Sequence, residues 1–215
     1  WKSAALGGNM GDQFNRKLLA AERSLRETDP VLRSVIESVG HCDLQPHNNY
    51  YQELVRSIVG QQLSIKAAAT ILGRFKKLGS GDFPTPDEII QIQDDKMREV
   101  GYKKKKISYV KDLAEHVIEG RLKLDQFDKL PNEEVIVELT DIKGIGEWTA
   151  HMFLIFSLGR LNVLPTGDLG IRKGVQALYG MKYLPGDTDI RKLAEKNGWS
   201  GYESVASWYV WKSID

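Results

Sequence analysis

The chain has 215 residues, 41% apolar and 27% charged, which suits one large domain or two small lobes and excludes a wholly disordered chain, a collagen-like fibre and a coiled coil. Thirty basic residues against 29 acidic ones leave a formal charge of +1, so bulk charge selects no partner and a nucleic-acid surface must come from uneven placement. No apolar run approaches the roughly 18 residues of a membrane-spanning helix, so no membrane partner is expected.

The chain opens on Trp1, and a native start with room for a targeting peptide is expected upstream. Trp1–Gln13, with three glycines and little periodicity, is expected to be a poorly ordered lead-in. After it nearly everything reads as helix. Asp29-Pro30 has the form of an N-cap followed by proline at the first helical position, with Val31, Val35 and Val39 recurring on one face. Cys42 is the single cysteine, which excludes an internal disulfide, a zinc knuckle and a cysteine-held iron–sulfur cluster, and fits a reducing intracellular compartment. Leu54, Val55 and Ile58 line a helix that stops near Gly60, and Ser64 opens another over Ile65–Leu78.

Thr85-Pro86-Asp87-Glu88 matches a capping box, and Gly101 ends a further short helix. Lys103–Lys106 with Lys111 is the one dense basic run, read first as a solvated helix face and second as a source of phosphate contacts. Ile107, Val110, Ala114 and Val117 form an apolar stripe stopped by Gly120, and Pro131 begins a helix through Val135 and Leu139. Trp148–Leu158, the most apolar long stretch, reads as a buried helix. No stretch alternates as a strand, so the chain reads as all-α with about ten helices. No two of the four histidines have the spacing of a zinc site.

The most informative segment runs from Leu139 to Ala150. A helix ends near Thr140, Gly144 and Gly146 hold a turn around Ile145, and a second helix begins at once. Two glycines there permit backbone angles that other residues resist, and the amides opening the next helix form a phosphate site with the helix dipole. The plain alternative is an ordinary corner between helices with glycine at its C′ position. About twenty residues on, Asp168 follows a Pro165–Gly167 turn at the start of a helix; it reads either as that helix's N-cap or as a carboxylate at the mouth of a cleft.

Gln61-Gln62-Leu63-Ser64, the hairpin through Gly146-Glu-Trp-Thr-Ala150, Phe156-Ser-Leu-Gly-Arg160, Pro165–Leu169 and Trp208-Tyr-Val-Trp211 occur in the order found in alkylation-repair DNA glycosylases. From about Tyr50 to Lys212 the chain resembles the 3-methyladenine DNA glycosylase II family of the helix-hairpin-helix superfamily. The resemblance implies a bilobal all-α fold without the N-terminal sheet of some bacterial members. It pairs a discontinuous lobe, 14–49 with 172–215, with a lobe over 50–171 that carries the hairpin, the base cleft lying between them. It further implies removal of alkylated purines, 3-methyladenine and 7-methylguanine, from double-stranded DNA by an intracellular monomer without a cofactor.

Residue by residue, Asp168 occupies the place of the catalytic aspartate. Trp148 stands where backbone-cutting relatives carry a nucleophilic lysine, which implies hydrolysis without lyase activity. Trp148, Met152 and Tyr202 are the base-pocket candidates, and Gln62 or Leu63 fits the wedge that fills the space of a flipped nucleotide. Lys143, Gly144, Ile145, Gly146, Thr149, Arg172 and Lys173 are the expected phosphate contacts, with hairpin carbonyls open to a monovalent cation. Trp208 and Trp211 are assigned to packing. Three positions depart from the pattern: Glu203 stands in place of a common arginine, Met152 in place of a tyrosine, and Lys103 in place of a serine cap. The rival reading is a non-catalytic protein that binds abasic or distorted DNA through the same hairpin, and a third is an all-α protein-interaction module.

Overall fold

Local capping chemistry sets most of the helix starts. In the computed structural model, which describes residues 8–214, the Asp29 carboxylate accepts the Val31 and Leu32 amides at the head of α2 (Pro30–Val39). Asn49 and Ser64 do the same for α3 (Tyr50–Gly60) and α4 (Ile65–Phe75). Thr85 and Glu88 close a full capping box on α5 (Pro86–Gln91). Each such cap satisfies amides that have no partner within the helix and is worth about 1 kcal/mol. α6 (Asp94–Glu99) and α7 (Lys104–Ile118) follow. Lys103 makes no side-chain cap on α7, which is the cost of a lysine at that position.

The remaining helices are α1 (Gly8–Thr28), α8 (Asn132–Thr140), α9 (Glu147–Phe156), α10 (Leu169–Leu178), α11 (Asp187–Lys196) and α12 (Glu203–Lys212). Two short 3₁₀ turns, Lys76–Leu78 and Leu124–Gln126, complete the described residues, among which there is no strand. The fold is all-α, with two helices more than the expected ten. Part of the expected lead-in is helical: α1 starts at Gly8, so Gly8–Gln13 belongs to it, while Trp1–Gly7 lies outside the described residues. Burial overrides the weak helix preference of its glycines, because the Phe14 ring packs against Gly159, and Leu18, Ala21 and Leu25 are buried in succession.

The chain divides into two compact units, one up to Asn48 with Leu154 onward, the other Asn49–Phe153. The first unit is sewn together by buried carboxylates. Asp29, fully buried, takes its two cap amides on Oδ1 and accepts Tyr179 OH at 2.5 Å and Trp199 Nε1 at 2.8 Å on Oδ2. Glu22 accepts from the Cys42 amide, His41 Nδ1 and Tyr209 OH. A buried carboxylate without partners costs several kcal/mol, so these bonds specify which distant segments must meet. In the second unit α3, α5 and α6 pack on α7 and α4 packs on α3, with Phe75 packed against Phe83 and Tyr102.

The division differs from the expected one. Residues 154–171 belong with the terminal segments rather than with the hairpin. Phe156 stacks on Trp211, the Val163 amide donates to Ser204 Oγ, and Asp168 accepts from Trp211. These pairs are separated by about 40 to 55 residues in sequence, so no local pattern reveals them.

Candidate functional site

The hairpin is formed by α8, the turn Asp141–Gly146 and α9. Ile142 and Ile145 are buried, and their side chains anchor the turn to the core. Ile145 N–H donates to Ile142 O at 3.0 Å and closes the turn. Gly144 has φ +83°, and a Cβ built on it would lie 2.1 Å from Tyr109 Cδ2. Both the backbone angle and the ring beneath therefore demand glycine. Gly146 carries no such crowding and opens α9, whose first amides have no acceptor within the helix.

Charge around the turn is arranged by Asp112, a buried residue of α7. It accepts the Lys143 amide at 2.9 Å on one oxygen and the Lys143 ammonium at 2.7 Å on the other. Burial pushes this carboxyl up, but the two bonds from Lys143 and the attraction of its ammonium prevail and leave it below the ordinary value. The Lys143 ammonium is raised by the same bond. Lys143 is thus an exposed cation held in place by a buried acid. Two of the expected strand contacts are tied into the protein here: the Ile145 amide donates to Ile142 O, and Thr149 is buried at 5% exposure. A monovalent cation at the hairpin would share Gly144 O with Gln61 Nε2 and Ile142 O with the Ile145 amide. Among the described residues no cluster of His, Cys, Asp and Glu suits a metal ion.

On α9, Trp148 and Met152 lie four residues apart on one face; Trp148 is 51% exposed and Met152 half-buried. The turn after α3 exposes Gln62, whose φ of +57° costs a non-glycine residue about 1–2 kcal/mol, and leaves Leu63 half-buried beside it.

In the other unit, Asp168 caps α10: its Oδ1 accepts the Ile171 amide at 2.8 Å and Trp211 Nε1 at 2.9 Å. Trp211, expected only to pack, both stacks on Phe156 and holds this carboxylate. Gly170 gives the pair room, since a Cβ there would fall 2.9 Å from Asp168 Oδ1 and 3.0 Å from the indole. Trp208 is a packing residue as expected, 7% exposed with the Lys212 ammonium over its ring. The turn before Asp168 is stapled by Thr166 Oγ1 to Asp187 at 2.5 Å and by Asp168 N–H to Pro165 O. Arg172 donates through Nε to Pro185 O, which makes it a loop tether as well as a cation, whereas Lys173 is exposed. Half-buried Tyr202 directly precedes α12.

Glu203, in place of the common arginine, is half-buried, and its Oε2 has no partner among the described residues. Desolvation raises its pKa against the opposing pull of its own amide and that of Gly201. The folded state therefore holds this proton more tightly than the unfolded chain, and the fold loses stability as pH climbs from the unfolded value, about 4.3, through the raised one. Glu203→Gln removes that loss. The expected result is a higher melting temperature at pH 7, by roughly 2–4 °C per kcal/mol relieved, and no difference well below pH 4 in parallel thermal melts.

A family model for the HhH-GPD superfamily base excision DNA repair protein matches residues 55–198. The chain is 37% identical over 209 residues to DNA-3-methyladenine glycosylase 1 of Schizosaccharomyces pombe, covering 94% of this chain and 90% of that protein. Its fold is similar to the crystal structure of a Bacillus halodurans DNA-3-methyladenine glycosidase, with a TM-score of 0.82 and 40% identity, over 90% of this chain and 88% of that one. It is similar also to the Schizosaccharomyces pombe 3-methyladenine DNA glycosylase in complex with abasic DNA, with a TM-score of 0.78 and 37% identity, over 90% of this chain and 96% of that one. Among the described residues no helix is long and apolar enough to cross a membrane. Because the match runs through both the hairpin and the Asp168 turn, the chain belongs to the HhH-GPD superfamily of base excision DNA repair proteins, as a DNA glycosylase.

Proposed function

We propose that the protein is a monofunctional glycosylase that flips alkylated purines, 3-methyladenine and 7-methylguanine, out of double-stranded DNA and removes them hydrolytically as a monomer. The observation that carries this reading is the Asp168 carboxylate, held at the head of α10 by an indole and a helix amide that both engage Oδ1. The names of the relatives support the substrate class.

Methylation at N3 of adenine or N7 of guanine makes the base cationic. As the bond from C1′ to the base nitrogen breaks, its electron pair leaves with the base, which departs neutral, and positive charge develops on the deoxyribose. Asp168 stabilises that charge electrostatically. It then accepts the proton of the water whose oxygen bonds to C1′. Trp148, Met152 and Tyr202 supply the surfaces on which the cationic base stacks, each aromatic contact worth roughly 0.5–2 kcal/mol. The amides of Gly144 and Gly146, with Lys143, Arg172 and Lys173, bind phosphates, and Gln62–Leu63 is the wedge. Trp148 offers no amine to attack the sugar, so the product is an intact abasic site.

The test is release of 3-methyladenine from methylated duplex DNA, read by chromatography, alongside borohydride trapping. Release without a trapped complex is expected; a covalent adduct would overturn the hydrolytic assignment, and no release would overturn the activity.

Trp211→Phe separates positioning from packing. Phenylalanine keeps the ring against Phe156 and removes the Nε1 donor, so Asp168 Oδ1 loses the indole and keeps the Ile171 amide. A hydrogen bond to a charged group is worth about 1.5–3 kcal/mol, so kcat is expected to fall at least tenfold with KM nearly unchanged in single-turnover and steady-state assays.

A further inference from the structure

Four residues of α7 with no role in the proposed chemistry lie on one face of that helix: Lys106, Tyr109, Asp112 and His116, at spacings of three, three and four. Each touches a part of the DNA-reading apparatus. The Lys106 ammonium donates to Val59 O and, at 2.8 Å, to Gln61 O, satisfying carbonyls at the end of α3 where the chain turns into the wedge loop. The Tyr109 ring lies under Gly144. Asp112 holds Lys143 by its amide and its ammonium, and His116 Nε2 lies 3.2 Å from Asp141 Oδ2 at the end of α8. The wedge loop and hairpin also touch directly, as Gln61 Nε2 donates to Gly144 O at 2.7 Å.

We propose that Lys106 and Gln61 are positioning residues that lock the Gln62–Leu63 tip in fixed register with the phosphate-binding hairpin, so that gripping the strand and filling the flipped-out space are one rigid action. The stripe on α7 is the ruler. A left-handed glutamine at 62 needs the chain before it restrained, and two carbonyls on its N-terminal side, Val59 O and Gln61 O, end on one ammonium, while Gly60 O accepts the Leu63 amide. Desolvation, with repulsion from Lys103, lowers the Lys106 pKa, consistent with a half-buried ammonium enclosed by these carbonyls. The inference rests on the reading of Gln62 and Leu63 as the wedge.

The experiment compares the affinity of the full chain for a duplex carrying a tetrahydrofuran abasic site with its affinity for the same duplex intact. The hairpin's grip contributes to both, and the wedge only to the first. Lys106→Met is expected to lower that discrimination ratio about tenfold, the equivalent of one charge-assisted hydrogen bond, and Gln61→Leu about fivefold, the equivalent of one neutral bond, while affinity for intact duplex and its salt dependence stay within about twofold. Lys106→Arg, which keeps donors there, restores most of the ratio. In a Leu63→Ala background, which itself lowers the ratio, the added loss from Lys106→Met stays below about twofold, because both act through one tip. Thermal melts exclude general unfolding as the cause. If Leu63→Ala and Gln62→Ala leave the ratio unchanged, the wedge reading falls and this inference with it. If they lower it while Lys106→Met and Gln61→Leu do not, or if the losses multiply in the double variant, the inference alone is overturned.

Discussion

Asp168→Asn is expected to abolish most base release, by about 10² to 10⁴-fold in the single-turnover rate, while leaving DNA affinity and melting temperature nearly unchanged. The geometry makes this substitution selective. Two bonds to the carboxylate converge on Oδ1, one from the Ile171 amide and one from Trp211 Nε1. An asparagine amide oxygen accepts both, and asparagine is as good an N-cap as aspartate. What disappears, on the proposed mechanism, is the negative charge opposite the developing cation and the base that takes the proton from water. The same substitution separates the catalytic reading from its rivals. If Asp168 merely caps α10 in a protein that only binds distorted DNA, wild type and variant are indistinguishable in every assay. Base release by wild type and its loss in the variant, with affinity retained, exclude that outcome. A protein-interaction module would show no DNA binding that fades with salt in either form.

Gly144→Ala is expected to destabilise the hairpin by about 2–4 kcal/mol and to weaken DNA binding by at least tenfold, read by melting and by a salt-dependent binding titration. Two independent penalties combine. Alanine at φ +83° is strained wherever it sits, and its Cβ would lie 2.1 Å from Tyr109 Cδ2, with two more ring carbons within 2.6 Å. Tyr109 lies between Lys106, which holds Gln61 O, and Asp112, which holds Lys143, on one face of α7. Relief of the clash therefore moves the amides opening α9 or the tip that precedes α4. Adding Tyr109→Ala to Gly144→Ala removes the steric part and leaves the backbone part, so partial recovery of the melting temperature is expected. No recovery would mean that the backbone angle alone dominates.

The helical character, the capped starts at Asp29, Ser64 and Thr85, the stop at Gly60 and the glycine-bearing hairpin were legible in the chain because each depends on neighbours within four residues. Asp168 stood out for the same reason, as an acid after a proline–glycine turn. The resemblance added the activity, which no local pattern contains. What stayed hidden has partners far away in sequence. The role of Trp211 depends on a residue 43 positions away, Gln61 reaches Gly144 across 83 positions, and Asp112 reaches Lys143 across 31. Tryptophan three residues from another tryptophan on a helix reads as packing until its indole nitrogen finds a carboxylate. The burial of Thr149 and the internal bond of the Ile145 amide were equally hidden, since both follow from how the turn packs.

The amino-acid order by itself determined the helices, their caps, the glycine turn and the acid that follows it, because short-range sterics and hydrogen bonding decide those without reference to the rest of the molecule. Only the tertiary structure decided that residues 154–171 pack with the chain's two ends, that an indole and Gly170 aim Asp168, and that α7 carries one polar face serving both loop and hairpin. The physical reason is that a buried charge or donor must find a partner wherever the fold brings one, and that search is settled by packing rather than by adjacency in sequence.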